Sequence, residues 1–83
     1  MAKVRKVRTK PCKGYMYRVI GYDAQGFQVG HYDVQTLHQA LYAQDVLEVK
    51  KGASAAVIYN KDGEELGGRN LDILRTLKRG QEK

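Results

Sequence analysis

The 83-residue sequence has no tryptophan and only one cysteine, one proline and one phenylalanine. A single thiol cannot close an internal disulfide, so the fold must rest on packing, which suits a reducing cytoplasm. No stretch approaches the ~18 uninterrupted apolar residues that span a bilayer. The basic N-terminus also lacks the apolar run of a secretory signal. Neither membrane insertion nor secretion is expected, and the expected location is cytoplasmic. A chain this short buries roughly 60% of its unfolded surface, enough for one modest core but not for a large enclosed substrate cleft. With 42% hydrophobic and 29% charged residues the composition is that of a globular domain.

Side chains able to build an active site are equally scarce. There is one serine, and the two histidines, His31 and His38, fall on a strand and the helix that follows, at a spacing that matches no zinc signature. Cys12 stands beside Pro11 with no base or anion hole indicated near it. The run Asp62-Gly63-Glu64-Glu65 lacks the alternating carboxylates of a calcium loop, and Gly67-Gly68 is not followed by a phosphate-binding lysine. The expectation is a non-enzymatic protein with no catalytic residues, no cofactor and no metal.

What the chain does have is unevenly placed positive charge. Residues 1–18 carry seven cations and no acid, residues 19–68 carry three cations against seven acids, and residues 69–83 carry five against two, for a net +6. Five of the eight residues from Lys3 to Lys10 are cationic. Such a segment attracts polyanions and contacts nucleic acid mainly through phosphates. A solvated tail that only aids solubility is the plainer reading of the same charge.

Local signals imply an α+β fold, a small antiparallel sheet of three to four strands in ββαβ(β)α order packed against one or two helices. Residues 1–13 read as a flexible basic arm, with Val4–Val7 suited to a sheet edge, residues 14–80 as the single domain and 81–83 as a tail. Tyr15–Tyr22 and Phe27–Val34 are rich in aromatic and β-branched residues and flank Asp23-Ala24-Gln25-Gly26, a hairpin with a bulge at the glycine. Thr36 and Gln39 form a capping box that opens a helix ending near Lys51, with Gly52 as its left-handed stop. Ser54–Tyr59 and Glu64–Gly67 read as strands around a second turn, Asn60-Lys61-Asp62-Gly63. A last helix is expected from Leu71 to Arg79, capped by Asn70 and stopped by Gly80. The segment around Tyr22 is echoed around Tyr59, giving a ββα–ββα reading with a period near 37 residues.

A three-residue hairpin loop predicts Val19 opposite His31, Arg18 opposite Tyr32 and Tyr22 opposite Gln28. One face then carries Tyr15, Tyr17, Val19, Phe27, Val29 and His31; the other carries Met16, Arg18, Ile20, Tyr22, Tyr32 and Val34. Neither face is cleanly polar, so the second needs a cover: the C-terminal helix, a second copy or a ligand. The first helix shows the same surplus. Leu37, Ala40, Leu41, Gln44 and Leu47 form its expected core stripe, yet Tyr42, Val46 and Val49 line its other side.

In layout alone, a hairpin-led sheet backed by one helix resembles the three-stranded-sheet DNA-binding modules at the front of some recombinases. The size and basic ends would also suit small phage- or plasmid-encoded proteins that inhibit a host machine.

Two functions follow as expectations. One is nucleic-acid binding, DNA or RNA, with phosphate contacts from Lys3, Arg5, Lys6, Arg8, Lys10 and Lys13, and base or backbone contacts from Arg18, Tyr22 and Tyr32. The other is a protein-interaction or inhibitory module, either homodimeric or facing an acidic protein partner, that uses Tyr42, Val46 and Val49 as its interface.

Overall fold

A computed structural model describes residues 7–81, with side chains through Thr76. The elements are β1 (Tyr17–Tyr22), β2 (Gln28–Val34), α1 (Leu37–Lys51), β3 (Ala55–Tyr59), β4 (Glu65–Arg69) and α2 (Leu71–Gln81). The strands form one antiparallel sheet in the order β2-β1-β3-β4, so the expected α+β class and ββαββα order are found. Among the described residues no helix is long and apolar enough to cross a membrane.

The two hairpin turns are built alike because an acceptor side chain opens each and a left-handed glycine closes it. Asp23 Oδ1 accepts from the amides of Gln25 and Phe27, both at 2.9 Å, and Gly26 has φ 89°. Asn60 Oδ1 accepts from Asp62 and Glu64, again at 2.9 Å, and Gly63 has φ 84°. The backbone pairs Asp23–Phe27 and Asn60–Glu64 close the two loops at 2.8 and 2.9 Å. Each hairpin carries a bulge at the equivalent step, Gly21/Tyr22 in one and Ile58/Tyr59 in the other. The echo in the sequence is therefore an echo in hydrogen bonding.

Those bulges set the register of the first hairpin. Tyr22 faces Gln28 as expected, but beyond the bulge Ile20 faces His31, Val19 faces Tyr32 and Arg18 faces Asp33. The expected pairs of Val19 with His31 and Arg18 with Tyr32 are each one residue off. A slip of one exchanges the faces of everything after it. Tyr32 and Val34 move to the side of Val19, and His31 moves to the side of Arg18 and Ile20.

α1 covers the face of Val19. Thr36 and Gln39 make the capping box from both sides, and Gly52 turns left-handed at φ 68°. Val19, Ala40, Ala43, Leu47, Ala53, Ala56 and Ile58 form the core there, with Tyr17, Val29, Tyr32 and Val34 packed around it. Ala43 replaces Leu37 and Leu41 in the stripe expected to be buried; these two leucines are 49% and 55% exposed. The helix lies closest to Gly21 and Gly30, where missing side chains let Leu47 approach, and this rotates the leucines outward.

α2 lies on the opposite face. Leu71 packs where Gly68 has no side chain, and Arg75 reaches Glu65 at 3.5 Å. Gly68 and Glu65 are the register partners of Val57 and Tyr59. Asn70, expected to cap this helix, instead has φ 58° and donates its side-chain amide to the Ser54 carbonyl. The helix also continues through Gly80, its expected stop, to Gln81. A glycine ends a helix by turning left-handed, as Gly52 does.

The expected flexible arm is, over its described part, bound to the face of α2. Val7 and Gln28 exchange two hydrogen bonds, at 2.8 and 3.2 Å, and the Arg8 carbonyl accepts from Arg18 at 2.9 Å. Thr9 and Lys10 pack against Gly63. Val4, and with it most of the segment suited to a sheet edge, lies outside the described residues.

Candidate interaction groove between α1 and the β2 edge

The residues expected to contact nucleic acid are not brought onto one platform. Lys3, Arg5 and Lys6 lie outside the described residues. Arg18 is consumed inside the protein: its Nε and Nη2 donate to the two carboxylate oxygens of Asp33 at 2.7 and 3.0 Å, with the side chains 7% and 11% exposed. This bidentate pair is a strong one. The Asp33 bond raises the Arg18 guanidinium. Burial pushes the Asp33 carboxyl up, but the bonds from Arg18 and Cys12 outweigh it and hold the carboxyl below its ordinary value. Exposed Cys12 completes the cluster: its amide donates to Asp33 and its Sγ accepts from Arg18, both at 3.4 Å.

Tyr22 shares the Arg18 face but leans inward, its hydroxyl 3.0 Å from that of Tyr59. Burial and this contact push the Tyr59 phenol well above its ordinary value. Tyr32 stands on the other face, beneath α1. The Arg18–Tyr22–Tyr32 surface therefore does not exist as a unit. Arg8, Lys10 and Lys13 remain exposed, and none is used in an ion pair among the described residues.

The three residues of the second expected site lie together on the outer flank of α1. Tyr42 and Val49 are 70% and 81% exposed, and Val46 is half-buried beside them. Because β2 is an edge strand, the flank of α1 that carries Tyr42 and Val46 overlooks open space rather than another strand. The result is a groove of about 540 Å³ with Tyr42, Ala43, Val46 and Lys50 on the helix side and Tyr32 and Val34 on the strand side.

Tyr15 closes one end of the groove. A turn from Cys12 to Tyr15 passes through Gly14 at φ 96°, the Gly14 carbonyl accepts from Gln35 at 2.5 Å, and the Met16 amide donates to Val34 at 3.0 Å. These bonds fix the chain along the end of β2. Tyr15, Tyr32, Val34 and Lys50 were not expected at this site. The signal for them was the strand order, which turns β2 into an edge and which the residue pattern of one hairpin does not contain. Arg69, by contrast, crosses to α1 at the far side of the sheet, 2.6 Å from Asp45 and 3.3 Å from Glu48, and closes the opposite flank of the helix.

Set against protein-family models, curated proteins and solved structures, the chain gives no match in any of the three. The resemblance to recombinase modules rests on layout alone.

Proposed function

We propose that the protein is a non-enzymatic protein-interaction module whose binding site is the groove between α1 and the open edge of β2. One observation carries this reading: an apolar groove rimmed by Tyr15, Tyr32 and Tyr42 lies beside a strand whose outer edge has no partner among the described residues. Aromatic side chains give contact area with little loss of conformational freedom, and edge strands supply ready-made backbone hydrogen bonds to an added strand. The groove bears one lysine and one carboxylate, and that carboxylate is already satisfied by Arg18. Its occupant is accordingly near-neutral and partly apolar.

An apolar fluorescent probe, anilinonaphthalene sulfonate, tests the site on dilute protein. The wild type should enhance its emission, Tyr42→Asp should lose the enhancement, and Leu66→Asp, on the far edge of the sheet, should keep it. Equal emission from all three would contradict the reading.

A second reading is supported by the bound arm. It is held through backbone groups, Gln28 and Arg18, which leaves the charges of Arg8, Lys10 and Lys13 to meet an anion such as a nucleic-acid backbone. Fluorescence anisotropy with labelled duplex and single-stranded DNA and RNA at rising salt tests it. Binding should weaken steeply with salt; no shift on any probe at low salt would remove it.

A further inference from the structure

We infer that the occupant of this groove is a second copy of the same chain, joined β2 to β2 so that two four-stranded sheets become one; this rests on the groove being an interaction site. The edges of the sheet differ. β4 is the shorter strand and carries Glu65 and Arg69, charges that keep an edge from pairing, whereas a bulge is common to both edges. β2 spans seven residues with no lysine, no arginine and no proline, and its one acid, Asp33, is neutralised by Arg18. For a chain of net charge +6, self-association is favoured where charge is locally low, and β2 itself has no net charge, with Lys50 and Lys51 of α1 as the cations beside it.

The core supplies the motive. Among the described residues, half of the ten buried hydrophobic ones are alanines, and the largest side chains buried completely are Ile20, Leu47, Val19 and Val57. Tyr42, Val49, Leu41 and Leu37 meanwhile stand outside. So small a core leaves a short domain marginal, and pairing adds what it lacks.

Antiparallel self-pairing has its dyad at the middle residue of β2, His31. Each Tyr32 then lies opposite Gly30 of the other copy on the α1 face, beside the Leu47 and Lys51 side chains that cover that glycine. The α1 flanks bearing Tyr42 and Val46 meet above the junction, and the two His31 side chains face one another on the other side. A two-fold contact of this kind needs no surface beyond the one already described.

The test is sedimentation velocity over a wide concentration range, with His31→Lys and His31→Glu, each checked for fold by circular dichroism. His31 is exposed, so either change leaves the monomer intact. The wild type should form dimers. Each variant alone should dimerise roughly tenfold more weakly, because like charges meet at the dyad. An equimolar mixture of the two should recover mixed dimers, which only pairing about residue 31 explains. A wild type that stays monomeric throughout, or dimers indifferent to both charges, would overturn the inference. A monomer that binds the fluorescent probe at Tyr42 would leave the groove standing with a different partner. A monomer that does not bind it would remove both.

Discussion

Tyr22 and Tyr59 stand at opposite ends of the β1–β3 ladder, paired in register with Ala55 and Arg18, yet their hydroxyls meet at 3.0 Å. The two residues are 37 positions apart, as are Ile20 and Val57, which pair at the centre of that ladder. The rings lean toward each other over the central pair, of which Ile20 is fully buried. Recurring tyrosines in the sequence thus mark a local two-fold axis, which the hairpins obey and the helices break by taking opposite faces.

Removing one of these hydroxyls leaves the other without its partner. Tyr22→Phe and Tyr59→Phe should each cost about 1 kcal/mol in denaturant unfolding, and the double variant should cost less than the sum.

The same contact gives an alkaline limit to stability. The Tyr59 phenol is held above its ordinary value of 10.0 in the folded protein, so its contribution is fully present below pH 10 and is lost as pH rises through the folded value. Melting temperature should fall above pH 10, less so in Tyr59→Phe, and one of the six tyrosines should ionise late in an absorbance titration. Simultaneous ionisation of all six in the folded protein would contradict this.

Arg18 and Asp33 hold the arm as well as the hairpin. Asp33→Ala strands a buried guanidinium and should destabilise by about 3 kcal/mol, whereas replacing both partners by apolar residues should cost less. Because Asp33 is held below 3.8, its contribution is complete above that value and disappears as pH falls through the folded value. Limited proteolysis near Lys10 and Lys13 should accelerate in Asp33→Ala under conditions where the core remains folded.

Two neighbouring glycines should respond differently. A side chain at Gly67 meets open space, while one at Gly68 runs into the Ala56 carbonyl and Leu71. Gly68→Ala should destabilise by about 1–3 kcal/mol and loosen α2, and Gly67→Ala should be nearly neutral, as read by thermal unfolding.

Much of this architecture is written locally. Turn chemistry at Asp23–Gly26 and Asn60–Gly63, the Thr36–Gln39 box and the Gly52 stop all act within a few residues, so the element order was legible. What distance decides was not. One bulge at Gly21/Tyr22 shifted the hairpin register and sent Tyr32 under α1. The close approach at Gly21 and Gly30 rotated α1 and left Leu37 and Leu41 outside. Arg18 looked free because its partner Asp33 was placed one register step away. Tyr42, Val46 and Val49 were legible as a surplus apolar stripe, but the groove that Tyr42 and Val46 border depends on β2 being an edge.

Amide hydrogen exchange at low and high protein concentration tests the central claim most directly. If two copies pair along the β2 edge, amides of Gln28–Val34 should slow markedly as concentration rises, while those of Glu65–Arg69 on the other edge stay constant. Exchange in β2 that is independent of concentration, or that changes in parallel with β4, would contradict it.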